Sequence, residues 1–173
     1  MSPARPLAVV VLAAGGGTRM KSKTMKVLHP VCGRTMIGHV VAAALEVEPE
    51  HLVAVVGNGR EQVGPHIQEL APDVVLAVQE TQDGTGHAVR VGLDALRERC
   101  GTTRGTVVVL AGDTPLMRGE TLAGLVEDHA SAGRAVTVLT AEMDDPFGYG
   151  RVIRGADGSV AAIVEQKDAD EEQ

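Results

Sequence analysis

Five short aliphatic runs set the architecture of this chain before any motif is considered. They are "LAVVVLA" (7–13), "HLVAVVG" (51–57), "DVVLAVQ" (73–79), "TVVVLAG" (106–112) and "AVTVLTAEM" (135–143). Stretches of helical character separate them: 35–47, 60–71, 86–100 and 118–133. Continuous aliphatic runs suit strands buried on both faces, and alternation with helices predicts βα units around a mostly parallel sheet. With one Phe, one Tyr and no Trp among 173 residues, the core has to be built from Val, Leu, Ile and Ala. The expectation is therefore an α/β, Rossmann-like fold with helices on both faces of the sheet. Thr35 is the expected N-cap of the first helix, and Gly64 and Pro65 weaken the second. After residue 145 the pattern changes to two short strands joined by "GADG", a hairpin signal. The acidic end "EQKDADEEQ" carries no periodicity and no stop signal, so the sheet is expected to be incomplete at the C-terminus.

Charge is distributed unevenly. The chain carries a net −7, which argues against a nucleic-acid surface. Yet no Asp or Glu precedes Glu46, whereas Arg5, Arg19, Lys21, Lys23, Lys26 and Arg34 do. A local anion site or a solvated basic face both fit this asymmetry. Cys32 and Cys100 are too far apart for a C-x-x-C motif and read as reduced thiols. The first aliphatic run is too short for a membrane span of ~18 apolar residues and is followed directly by a basic, glycine-rich stretch, so neither a signal peptide nor a membrane anchor is expected. A cytoplasmic protein is the reading.

In open parallel sheets, ligands gather at the carboxyl ends of the strands. Four segments fall there. In "LAAGGGTRMKSKTMK" (12–26), Gly15, Gly16 and Gly17 can bring backbone N–H groups close to an anion, Arg19 can fork onto phosphate oxygens and Lys26 adds a point charge. The stretch is neither a Walker A loop nor G-x-G-x-x-G, and a plain turn also fits. In "QETQDGTGHA" (79–88), Gln79 can read a base edge and Gly84 and Thr85 expose helix N-terminal donors, or Thr85 simply caps the helix. In "GDTPL", Asp113 closes a strand where a Mg²⁺ ligand is well placed, or serves as a turn residue before Pro115. In "PFGYGR" and beyond, Tyr149 and Glu165 can meet sugar hydroxyls, or the aromatics are loop packing and Glu165 is solvated. No zinc motif, serine triad or nucleophilic cysteine motif occurs.

Together, "LAAGGGTRM…K", "QDGTGHA", "GDTPL", "DPFGYGR" and "IVEQKDA…EQ" resemble the sugar-nucleotidyltransferases in order and spacing. Within them they are most similar to the bacterial bifunctional N-acetylglucosamine-1-phosphate uridylyltransferase/glucosamine-1-phosphate N-acetyltransferase family. The resemblance covers nearly the whole chain. It implies the nucleotide-diphospho-sugar transferase fold, with residues 1–173 as the N-terminal part of the nucleotidyltransferase domain. The rest of that domain and a left-handed β-helix acetyltransferase domain that forms homotrimers would lie outside it. By resemblance, uridine contacts fall on Leu12, Ala13, Ala14, Gly15, Gln79, Gly84 and Thr85. Arg19 and Lys26 hold the UTP phosphates and are catalytic, Asp113 ligates Mg²⁺, and Gly150 and Glu165 contact the N-acetylglucosamine part. This chain departs from the family's usual residues at Gly16 (often Lys), Met25 (usually Pro) and Ala111 (often Tyr).

The implied reaction converts UTP and N-acetylglucosamine 1-phosphate into UDP-N-acetylglucosamine and pyrophosphate, for cell-wall precursor synthesis. Its nucleophile is already an anion, so cations and alignment matter more than a general base. Two other readings fit the same residues: a nucleotide-sugar binding module without turnover, and a related transferase using another base or sugar.

Overall fold

β1 (Ala8–Ala13) lies between two parallel partners and organises the sheet around it. A computed structural model describes residues 6–17 and 20–171. It divides into two units, Met1–Ala135 and Val136–Gln173. In the first unit, β4 (His51–Val56), β5 (Val75–Val78) and β6 (Val107–Ala111) join β1 in a wholly parallel sheet of order β5-β4-β1-β6. Four of the five expected strands form within a residue or two of their predicted bounds.

Side-chain alternation explains why this sheet carries helices on both faces. Val9, Val11 and Ala13 face the same side as Leu52, Ala54, Val56, Val108 and Leu110. Helices α1 (Met36–Glu46), α2 (Arg60–Leu70) and α4 (Gly119–Ser131) cover that side with Ile37, Val40, Val63, Ile67, Leu122 and Val126. The alternate residues Ala8, Val10, Val53, Val55 and Ala77 face α3 (Gly84–Cys100), whose Ala88 and Leu96 are buried against them. Each fully buried Val or Leu contributes about 1.5–3 kcal/mol by leaving water, and β1 is buried along nearly its whole length.

The helix ends follow the expected chemistry. Thr35 caps α1, its hydroxyl accepting from the Gly38 N–H at 3.1 Å. α3 ends at Gly101 in the left-handed region, with the Gly101 N–H on the Arg97 carbonyl. Pro65 sits inside α2 without ending it. A short hairpin, β2 (Pro30–Val31) with β3 (Arg34–Thr35), precedes α1 and was not legible in the pattern. Its turn residues Cys32 and Gly33 both have positive φ, as a type I′ turn requires.

The fifth expected strand, 135–143, does not form. Val136, Val138 and Leu139 are exposed, and a strand gains stability from a ladder and a buried face, neither of which this run has. The second unit is built instead on the expected hairpin, β7 (Arg151–Arg154) antiparallel to β8 (Val160–Val164). In its turn, Asp157 accepts from the Ser159 hydroxyl and N–H, which holds its carboxyl below the usual carboxylate range. That support is present at neutral pH and is lost as pH falls through the lowered value.

Glycines in the helices divide by what surrounds them. A Cβ on Gly92 of α3 would stand 2.7 Å from Val10 Cγ1 and 3.0 Å from Val55 Cγ2, whereas one on Gly124 of α4 would meet nothing within 4 Å. Gly92→Val is expected to lower the unfolding free energy by about 2 kcal/mol through overpacking. Gly124→Ala is expected to raise it by about 0.5–1 kcal/mol by restricting the unfolded chain. Urea unfolding of both variants checks this; equal shifts would refute the close docking of α3.

Candidate functional site

The strand order reverses at β1: the chain runs outward through β4 and β5, then returns to pair β6 on the other side. Such a reversal leaves a crevice at the carboxyl ends of the two strands concerned. A cavity of about 480 Å³ lies there, lined by Leu12, Ala13, Gly15, Gly17, Met20, Lys26, Val27 and Asp113. A second cavity of about 400 Å³, between α1 and the start of α4, contains none of the residues expected from the sequence.

Asp113 is delivered to the crevice by the end of β6. The Gly112 N–H donates to the Leu12 carbonyl at 2.9 Å, continuing the ladder one step past Ala111. Any Cβ on Gly112 would be 2.8 Å from that carbonyl oxygen, so the approach of the two strands requires glycine there. The Thr114 hydroxyl bonds back to the Ala111 carbonyl at 2.8 Å and turns the chain away. Asp113 is left half-buried, facing the cavity.

Lys26 arrives from the opposite wall. It opens a single 3-10 turn (Lys26–Leu28) anchored by buried Val27. Gly17 makes the approach possible: its φ is +58°, and a Cβ on it would be 2.5 Å from the Lys26 Cβ. Of the three consecutive glycines, Gly17 is the one with positive φ. Lys26 Nζ donates to Asp113 Oδ2 at 2.5 Å, with the two side chains 39% and 35% exposed. At that exposure the pair adds little to stability. The pair instead holds one ammonium and one carboxylate poised in a glycine-walled cavity, where an anionic ligand can draw the first and a cation the second.

Ala13 and Ala14 are buried, with their methyl groups in the two cores, so only their main chain is open to a ligand. The Ala14 carbonyl accepts from Gln82 Nε2 at 2.8 Å, a contact that ties the loop after β5 to the loop after β1. Gln82 lies inside "QDGTGHA", but nothing in its spacing marked it as a tether. Gln79 follows β5 and is 5% exposed. Its Nε2 donates to the Gly84 carbonyl at 3.3 Å. His87 Nδ1 lies 3.1 Å from both Gln79 Nε2 and the Thr81 carbonyl, so its tautomer decides which of them it bonds. Gly84 opens α3 with φ +88°, and Asp83 occupies the N-cap position. Thr85 stands inside the first turn and is not the cap.

Gly150 and Glu165 belong to the second unit, on either side of the β7–β8 hairpin; both are exposed. A Cβ on Gly150 would meet only ordinary contacts, the nearest Val164 O at 3.6 Å, so the hairpin itself does not demand glycine there. Arg19 lies outside the described residues. Among the described residues no three His, Cys, Asp or Glu side chains gather as a metal cage. One cavity-facing carboxylate, already accepting a cation, suits Mg²⁺, which is commonly held by one or two carboxylates together with substrate phosphates and water. Among the described residues no helix is long and apolar enough to cross a membrane.

Comparison with known proteins bears on the family and the fold. Residues 9–169 match the model of the MobA-like NTP transferase domain. The chain is 63% identical over its whole length to the bifunctional protein GlmU of Streptomyces coelicolor and 56% identical to that of Thermobifida fusca, spanning 36% of each. It thus covers about a third of the length of the curated relatives it matches. Among solved structures, Rv0371c of Mycobacterium tuberculosis aligns with a TM-score of 0.57 and 26% identity, over 73% of this chain and 62% of that one. A manganese complex of Rv0371c aligns with a TM-score of 0.52 and 23% identity, over 73% and 60%, a likeness of fold.

Two outcomes follow from the site's construction. Gly17→Ala is expected to cost about 1–3 kcal/mol, since Ala must adopt a left-handed φ and crowd Lys26, while Gly15→Ala, with open space around it, stays within about 0.5 kcal/mol. A double-mutant cycle of Lys26→Met and Asp113→Asn, read by urea unfolding, should give a coupling of about 1 kcal/mol or less. A much larger coupling would mean that the pair is a stabilising element of the fold.

Proposed function

The chain belongs to the MobA-like NTP transferase domain family, and on that premise we propose that it transfers a uridylyl group from UTP to N-acetylglucosamine 1-phosphate. The observation that carries this reading is the Lys26–Asp113 pair in a glycine-walled crevice at the strand reversal. The 63% identity to a GlmU over the whole chain supports the choice of substrates.

In the proposed reaction a phosphate oxygen of the sugar phosphate attacks the α-phosphorus of UTP. One P–O bond forms, the bond to the bridging oxygen breaks, and pyrophosphate leaves. Lys26 is read as exchanging Asp113 for phosphate oxygens, where its charge offsets repulsion between the two anions. Arg19 is assigned the same task by resemblance. Asp113, released from Lys26, would hold Mg²⁺, which supplies further neutralisation of phosphate charge when bound. The main chain of 12–15 would line the uridine pocket with Gly84 and Thr85. Because Gln79 Nε2 is engaged by Gly84, its amide oxygen is the end left to accept from the N3–H of uracil. Cytosine presents an acceptor there instead. Gly150 and Glu165 are read as sugar contacts. We further read the natural full-length protein as a cytoplasmic homotrimer carrying an acetyltransferase domain.

The test is pyrophosphate release by the full-length natural protein with UTP, N-acetylglucosamine 1-phosphate and Mg²⁺. Asp113→Ala and Lys26→Ala should each lower kcat by about 10²–10³. Gln79→Ala should narrow the preference for UTP over CTP by about tenfold, the discrimination carried by a base-reading hydrogen bond. Binding of UDP-N-acetylglucosamine without any pyrophosphate release would leave a nucleotide-sugar binding module in place of a transferase.

A further inference from the structure

The loop 145–150, "DPFGYG", holds the only Phe and the only Tyr of the chain, yet Phe147 is 78% and Tyr149 58% exposed. Apolar packing therefore does not fix its shape. Hydrogen bonds do. Arg151, the first residue of β7, donates through Nη1 to the carbonyls of Pro146 at 2.9 Å and Tyr149 at 2.5 Å. Its Nη2 donates to Gln166 Oε1 at 2.7 Å. The same Oε1 accepts from the Gly148 N–H at 3.0 Å. A turn from the Tyr149 N–H to Pro146 O and an Asp145 carboxylate on the Phe147 N–H complete the loop, with Gly148 at φ +86°.

The two residues that hold this loop are each the immediate neighbour of a proposed sugar contact: Arg151 follows Gly150, and Gln166 follows Glu165. Arg151 and Val164 are ladder partners, so both pairs emerge from the open end of the same hairpin. Past the end of β8, Glu165 opens a turn closed by the Asp168 N–H on its carbonyl at 2.9 Å, which sets the directions of Glu165 and Gln166 locally. While Gln166 is drawn in against the loop, Glu165 is left exposed. The planar guanidinium fork serves three acceptors from two nitrogens, a geometry that a lysine ammonium does not reproduce.

We propose that Arg151 and Gln166 are positioning residues for the sugar-phosphate subsite: they clamp the backbone of 146–149 so that Gly150 and Glu165 are presented in one fixed arrangement. This rests on the reading of Gly150 and Glu165 given above. The clamp explains why two long polar side chains are spent on an exposed loop that has no apolar core of its own.

Arg151→Lys and Gln166→Leu, made in the full-length natural protein, test it. Each should raise KM for N-acetylglucosamine 1-phosphate by about ten- to a hundredfold through misplacement of the loop. KM for UTP should stay within about twofold, because UTP is assigned to the first unit's crevice, and the midpoint of urea unfolding should not move. Amide exchange of Gly148 should accelerate in Gln166→Leu, a readout independent of turnover. Equal rises in both KM values, a fall in kcat alone, unchanged kinetics or unchanged Gly148 exchange would each overturn the clamp. Failure of the unaltered protein to use the sugar phosphate would be seen before any variant is made, and would overturn the substrate assignment and this role with it.

Discussion

The pairing of β1 on both sides is the constraint on which the rest depends. Val9, Val10 and Val11 are fully buried, alternately by α1 and its companions on one face and by α3 on the other. Every backbone group along β1 must be satisfied by β4 or β6, because no water reaches them. This rigidity is what makes the end of β1 a usable platform. The chain leaves a strand that cannot shift, so the three glycines after it begin from a fixed point. The same holds for Asp113, since Gly112 hydrogen-bonds directly to the last turn of β1's ladder at Leu12.

From that platform the crevice is assembled by close approach. Gly17 admits the stem of Lys26, and Gly112 admits the backbone of β1. The polar tethers are longer in reach: Gln82 to Ala14 joins the loops that follow β5 and β1, and Gln79 to Gly84 closes the β5–α3 loop on itself. The ion pair between Lys26 and Asp113 adds little to stability, being more than a third exposed on both sides. That weakness suits the proposed role: a strong, dry pair would resist exchange of partners with a phosphate and a metal ion, whereas a solvated one yields easily.

The second unit uses a different means to the same end. Its hairpin buries little, and its loop 145–150 has no apolar anchor, so polar groups impose the shape. Arg151 and Gln166 do there what buried valines do around β1. A hydrogen-bond clamp of this kind fixes local geometry without adding much to global stability.

Much of this was legible in the chain itself. Runs of Val, Leu and Ala with almost no aromatics led to four of the strands, the four helices and their distribution over two faces. Thr35 as a cap and the hairpin around "GADG" followed from local chemistry. Local pattern misled at 135–143, where β propensity is high but no ladder and no buried face exist to convert it into a strand. It was silent on the β2–β3 turn, whose Cys32 adopts a positive φ that composition does not advertise. What the sequence determined by itself is what depends on neighbours within a few residues: periodicity, capping and the residue types of each loop. Only the tertiary structure decided that Lys26 meets Asp113, 87 residues later, that Gly17 is the one of the three consecutive glycines held at positive φ against Lys26, and that Gln82 reaches Ala14. Those contacts follow from strand order and register, which arise from burying all the faces at once and are written in no single segment.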